Sequence, residues 1–296
     1  MPRQYHLQLD AGDVAPYVLL PGDPGRVAVV AEQWDDARHV ATNREYVTYT
    51  GTYRGAPISC MSTGIGCPST AIALEELARV GATTFVRIGT CGTFQDDVPN
   101  GTMAIFDSAA RYDGASRLYA PIEFPAVASH EVVVAAVEAA RGLGYPHRVG
   151  TTRSADTFYA LHPRPGSSFD GYWQSGWREH FEDLKRLGIV AAEMEASVIF
   201  VLARVWGLRA GGVSVVLDNV LEVSGERGVR SRDPDRARER PHRASRPPRV
   251  RDRAHPPRAR RCSGVVSPSG VGGGLRYPDR PGRSGRVAEG GALLRR

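Results

Sequence analysis

The sequence predicts an α/β fold, and two observations carry that prediction. A short apolar strand, a glycine-bearing loop and a helix follow one another twice, over residues 17–33 and again over residues 57–79. The second of these units runs straight into another strand, Thr83 to Gly92. Strand, helix, strand in that order favours parallel pairing, because a parallel pair needs a crossover connection.

Tyr17 to Leu20 is the first strand, and Pro21-Gly22-Asp23-Pro24-Gly25-Arg26 is a turn-rich loop leading into a helix, Val27 to Gln33. Val47 to Tyr53 and Pro57 to Met61 are strands around a turn at Arg54-Gly55. A second glycine loop, residues 62–70, precedes a helix, Ala71 to Arg79. Gly101 to Ala109 is a strand, and Arg111 to Pro125 reads as a long aromatic loop. Glu131 to Arg141 is helical and stops at Gly142 and Gly144. His147 to Ser154 is a strand, and residues 161–168 form a Pro- and Gly-rich loop. Trp177 to Leu187 has helical spacing. Ala192 to Trp206 repeats apolar residues three and four apart and reads as one helix. Leu208 to Leu217 is a buried strand that stops at Asp218-Asn219.

Arg87 lies inside the apolar run of residues 83–92. A buried strand rarely carries a guanidinium, which costs several kcal/mol to desolvate unpaired. Gly89, Thr90 and Gly92 follow at once, so the backbone can come close to a ligand. An arginine at such a mouth suits a multiply charged oxyanion, which its planar fork binds bidentately. The competing reading is an arginine satisfied by a structural carboxylate. The loop at residues 21–26 can also hold an anion on its N–H groups and helix N-terminus, or be an ordinary turn. Neither glycine loop is a dinucleotide fingerprint or a P-loop.

The net charge of +6 is unevenly spread. Residues 229–296 hold 19 Arg against 6 Asp or Glu, whereas residues 1–228 hold 19 basic and 26 acidic groups. The expected organisation is therefore one domain over residues 1–228 and a disordered Arg/Pro/Gly-rich tail over 229–296, which has too few large apolar residues to bury a core. A shifted reading frame in GC-rich coding DNA yields this mixture, and the near-exclusive use of Arg (Lys185 is the only Lys) points to such DNA. The alternative is an authentic basic arm, through which alone nucleic acid would bind. No N-terminal apolar segment reads as a signal peptide, and no run reads as a membrane span. Cys60, Cys67, Cys91 and Cys262 show no zinc spacing, so reduced thiols and a cytoplasmic location are expected.

Taken together, the motifs resemble the nucleoside phosphorylase family, most closely its uridine phosphorylase branch. The resemblance covers roughly residues 4–225. It rests on Tyr5-His6-Leu7, Pro21-Gly22-Asp23-Pro24, Arg44-Glu45, Ser62-Thr63-Gly64-Ile65-Gly66, Arg87-Ile88-Gly89-Thr90, Asp113-Gly114-Ala115-Ser116, Glu123-Phe124-Pro125-Ala126-Val127, Ser154-Ala155-Asp156-Thr157-Phe158-Tyr159 and Glu193-Met194-Glu195, in this order. The resemblance implies a single domain with a mixed, partly closed central sheet flanked by helices. It implies reversible phosphorolysis of a nucleoside to base and pentose 1-phosphate, with inorganic phosphate as co-substrate and no organic cofactor. It also implies a homo-oligomer, a hexamer built from dimers, and a role in pyrimidine salvage. Phosphate would bind Gly22, Arg26, Arg87 and Thr90, with Arg44 from a neighbouring subunit. Ribose would bind Met194, Glu195 and the neighbour's His6. The base would meet Cys91, Gly92, Phe158, Arg164, Leu217 and Asp218, and Arg87, Glu195 and Asp218 would carry catalysis. A potassium ion would bridge subunits at Glu45, Ile65 and Ser69; the alternative is that these groups are merely hydrogen-bonded.

Two positions depart from the uridine branch. The Gln-x-Arg element expected after residue 159 is replaced by Ala160-Leu161-His162-Pro163-Arg164-Pro165, where only Arg164 could stand in. Asp218 occupies a place that is apolar in pyrimidine enzymes and Asp in purine-cleaving relatives. The base is thus open between uracil and a purine, and a remnant without activity is the reading from another class. Burial of Asp218 is expected, as is its alternative role as a turn cap.

Overall fold

The structure, a computed structural model, describes residues 2–163 and 165–221. In chain order its elements are β1 (Tyr17–Leu20), α1 (Gly25–Ala31), β2 (Asp36–Asn43), β3 (Tyr46–Tyr53), β4 (Ala56–Met61), α2 (Cys67–Arg79), β5 (Thr84–Thr93), β6 (Met103–Tyr112), α3 (Ala115–Tyr119), β7 (Ala126–Val127), α4 (His130–Gly142), β8 (His147–Ala155), α5 (Gly176–Arg186), β9 (Ala191–Glu193), α6 (Ala196–Val205) and β10 (Arg209–Asn219). The strands form one sheet in the order β10-β6-β8-β9-β5-β1-β4-β3-β2, with β7 beside β6. β10 also pairs with β5, so β10, β6, β8, β9 and β5 close a ring while the remaining strands run on as an open sheet. Pairing is mixed: β1–β4, β1–β5, β5–β10, β6–β8 and β8–β9 are parallel, and β2–β3, β3–β4, β5–β9 and β6–β10 are antiparallel. This is the mixed, partly closed sheet that the sequence implies.

The helices follow from the apolar pattern. α6 is apolar nearly all round, and Ala196 to Ala203 are all buried, so it runs through the core against β10, α2 and α3. Its Ile199 and Phe200 share the main cluster with Leu74, Leu77, Phe85 and Phe106.

Three elements differ from expectation. β2 escapes the sequence reading because its residues, Asp36-Ala-Arg-His-Val-Ala-Thr-Asn43, are mostly exposed and lack apolar alternation; pairing with β3 alone makes the strand. The expected helix 192–206 is two elements, β9 and α6, because Glu193 turns back to accept hydrogen bonds from the N–H groups of Glu195 (2.8 Å) and Ala196 (2.9 Å) and so starts the helix later. The expected loop 111–125 carries the end of β6 and the short α3. There Asp113 accepts from the Ser116 N–H (2.6 Å) and holds the turn. The expected tail, residues 229–296, lies outside the described residues.

The N-terminal segment is tied down by one carboxylate. Glu76, on α2 and 5 % exposed, accepts hydrogen bonds from the N–H groups of His6 (3.0 Å) and Leu7 (2.8 Å) and pairs with His6 Nδ1 at 2.7 Å. Burial alone would raise this carboxyl, but the Leu7 and His6 donors outweigh it and hold it below its ordinary value. Glu76→Gln turns one acceptor into a donor facing two N–H groups and should cost about 1–3 kcal/mol in urea unfolding at pH 7. Because the folded value is depressed, the carboxylate's contribution is complete above the ordinary carboxylate range and fades as pH falls through the folded value. The gap between wild type and variant should therefore shrink in acid.

Candidate active site

A cleft of about 810 Å³ opens where β1, β5, β8 and β10 end. Outside the carboxyl ends of strands is where open α/β sheets receive ligands. Arg87 lies in its floor, 6 % exposed. Its Nη1 donates to the carbonyls of Leu20 (3.3 Å) and Ile88 (3.0 Å), and its Nη2 donates to Glu195 Oε2. Its Nε is buried without a hydrogen-bond partner and lies 3.8 Å from Glu193 Oε2. The guanidinium folds back over Gly89; a Cβ there would stand 3.0–3.1 Å from it and would have to displace it. Gly22, in the loop after β1, also lies beside the guanidinium, 3.8 Å from Nη1 at its Cβ position.

Glu195 caps the start of α6 and is 2 % exposed. The Gly66 N–H donates to its Oε1 at 2.7 Å, which ties the second glycine loop to the cleft. Glu193 is held by Ser154 Oγ and by the two α6 N–H groups. Burial, and next the neighbouring Glu195 charge, push its carboxyl up. The two buried carboxyl groups share the one guanidinium of Arg87.

Thr90, Cys91 and Gly92 line the next stretch of β5. Burial pushes the Cys91 thiol up to about 12, so it stays protonated and serves as a packing group. A Cβ on Gly92 would stand 2.4 Å from Val220 Cγ1 and 3.2 Å from Asp218 Oδ1, so the glycine makes room for both side chains. Here expectation is corrected: Asp218 is exposed, not buried, because β10 bulges between Val216 and Asp218 and turns it out to the cleft. Phe158 and Leu217, 68 % and 54 % exposed, stand at the mouth. Arg26 and Met194 also line the cleft.

Thus Gly22, Arg26, Arg87, Thr90, Cys91, Gly92, Phe158, Met194, Glu195, Leu217 and Asp218 line one cleft. His6 and Arg44 do not line this cleft in the single chain. Arg44 is at the exposed tip between β2 and β3 with φ 53°. Glu45 and Ser69 meet beside Gly64, where Ser69 Oγ donates to the Thr63 carbonyl at 2.7 Å, and Ile65 is exposed at the cleft rim. No group of three or more His, Cys, Asp or Glu among the described residues could hold a metal ion. Arg164 lies outside the described residues.

The sequence profile of the phosphorylase superfamily matches residues 16–244, which span every element of this cleft. This chain belongs to the phosphorylase superfamily. The phosphorylase is 49 % identical over 216 residues to the uridine phosphorylase of Thermococcus kodakarensis, covering 73 % of this chain and 77 % of that protein. It is 40 % identical over 217 residues to the uridine phosphorylase of Escherichia coli, covering 73 % and 85 %. It is also 40 % identical over 248 residues to the guanosine phosphorylase of Halorubrum lacusprofundi, covering 83 % and 96 %. A phosphorylase takes phosphate as co-substrate and needs no organic cofactor. In this phosphorylase the sequence reading missed Arg153, Thr157 and Phe181 as cleft residues. Arg153 carried the same signal as Arg87, a charge inside a strand.

Proposed function

We propose that this phosphorylase cleaves nucleosides of the uridine type, giving free base and pentose 1-phosphate. The observation that carries the reading is Arg87, a buried guanidinium in the cleft floor with an unused Nε donor and a carboxylate partner, Glu195, fit to face a sugar. Phosphate would lie among Gly22, Arg26, Arg87 and Thr90, where each charged hydrogen bond contributes about 1.5–3 kcal/mol. Glu195 would accept from the sugar hydroxyls with Met194 against the ring. As the glycosidic bond breaks, positive charge grows on the sugar, facing phosphate and Glu195, and the electron pair of the bond leaves with the base.

Arg44 and His6 would complete the site of a neighbouring subunit in a dimer-based hexamer. Arg44 stands in the two-residue turn between β2 and β3, where positive φ is the ordinary hairpin conformation, and this turn leaves its side chain exposed for a neighbour. Potassium at Glu45, Ile65 and Ser69 would brace that interface, and residues 229–296 would lie outside the catalytic unit. A cytoplasmic enzyme of pyrimidine salvage is the accompanying expectation. The second reading, a 6-oxopurine as base, is favoured by Asp218 and by the guanosine phosphorylase relative.

The test is product analysis with uridine, thymidine, inosine and adenosine, with and without phosphate. Phosphate-dependent release of uracil with ribose 1-phosphate is the expected result. Release without phosphate would make the enzyme a hydrolase and end the proposal.

A further inference from the structure

Three arginines are buried in strands of this sheet, and their surroundings differ in kind. Arg111, in β6, is a structural arginine: it donates to the carbonyls of Ser116 (2.9 Å), Ala120 (2.8 Å), Pro121 (2.6 Å) and Phe124 (2.6 Å). Arg87 is paired with Glu195. Arg153, in β8, is 5 % exposed and lines the cleft, yet its Nε and Nη2 are buried without hydrogen-bond partners. Its guanidinium lies 5.5 Å and 5.1 Å from the ring centroids of Tyr112 and Phe181. Ring faces hold a cation, but they leave the in-plane N–H groups without acceptors. Burial lowers the guanidinium to about 10, which still leaves it charged at neutral pH. Buried donors without acceptors call for an explanation, and at Arg153, unlike Thr48 and Ser214, the residue lines the cleft where an acceptor can arrive.

The sheet register says which end of the cleft this is. Arg153 on β8 is level with Ala192 on β9, Ala192 with Gly92 on β5, and Gly92 with Asp218 on β10. All four line the cleft. Strands lie about 4.8 Å apart, so the two ends of this row are at most about 14 Å apart at the backbone. A floor of Gly and Ala, with a cation at one end and a carboxylate at the other, has the size of a nucleobase once both side chains reach inward. Arg87 and Glu195 lie off this row, on the side where phosphate and sugar would sit.

We infer that Arg153 is a specificity-determining residue of this phosphorylase: its guanidinium, unsatisfied at Nε and Nη2, turns from its ring contacts to donate to a carbonyl oxygen of the leaving base. The inference rests on the nucleoside reading above. When the glycosidic bond breaks, its electron pair passes into the base and builds negative charge on that oxygen, and Arg153 stabilises it. A ring N–H of the same base would face Asp218. Uracil and guanine both present this pattern, a carbonyl next to an N–H, whereas adenine presents an amino group, a donor facing a donor.

The experiment compares kcat/KM of wild type and Arg153→Met for uridine, guanosine and adenosine at saturating phosphate. The variant should lose on the order of 10²-fold on the preferred oxo-base, and uridine against guanosine tells which base that is. Any residual adenosine activity should change by less than about threefold. Equal losses on all three substrates, or none, would overturn the inference while leaving phosphorolysis intact. If the Met variant does not fold, Arg153→Lys decides, because it keeps the charge and loses the fork. Its oxo-over-amino selectivity must fall about tenfold, and wild-type selectivity there overturns the assignment. A wild type that releases no base from any nucleoside removes both readings together.

Discussion

Arg87→Ala should lower kcat/KM for nucleoside phosphorolysis on the order of 10²-fold or more, the scale seen when one preorganised charge-stabilising donor is lost. The size follows from what the side chain does in place. It occupies the cleft floor, is held to the Leu20 and Ile88 carbonyls, and leaves Nε free beside two carboxylates. Removing it would take the innermost cation from the proposed phosphate site and leave Glu195 facing the incoming dianion without its partner. The loss should appear in the KM for phosphate as well as in kcat. Arg87→Lys should recover little, because an ammonium cannot reach two carbonyls and an oxyanion with one planar fork. Phosphorolysis near the wild-type rate in a folded Arg87→Ala protein would sink the assignment.

The second large effect is on stability. Glu193→Ala should destabilise the fold by about 3–5 kcal/mol, the cost of breaking a buried ionic network from one side. Glu193 accepts from Ser154 Oγ and from the N–H groups of Glu195 and Ala196, and it lies beside Arg87. Its loss strands those donors in the interior and frees the turn between β9 and α6. Glu193→Gln keeps an acceptor oxygen for the helix start and should cost clearly less. Denaturant unfolding of both variants at one pH checks the order; a Glu193→Ala protein as stable as wild type would mean that the carboxylate supports nothing.

Much of the site was legible in the sequence because its parts are local. A strand, a glycine loop and a charged residue within ten positions announced Arg87, and Glu193-Met194-Glu195 was visible as a motif. What was hidden depended on tertiary contacts. β2 is polar and exposed, and only its register with β3 makes it a strand. The break between β9 and α6 is set by a side chain turning back on the backbone, against a periodicity that runs through it. Asp218 was expected to be buried at the end of an apolar strand, but the bulge after Val216 reversed that. Arg153 was passed over although it too is a charge inside a strand, because no glycine loop follows it as one follows Arg87. Its role depends on Phe181 and Ala192, distant in the chain.

The closed ring of strands also sets how the chain can fold. Closure requires β10 to pair with β5, and Arg209 and Thr84 are 125 residues apart. Contacts of such separation come late and slow the search, since the entropy of the intervening loop is lost before the pairing repays it. Until Arg209 to Asn219 arrive, β5 and β6 each present an unpaired edge to solvent, and unpaired edges recruit strands from other chains. A chain cut before residue 209 should therefore accumulate as aggregates during synthesis, whereas one that includes β10 can seal both edges in a single step.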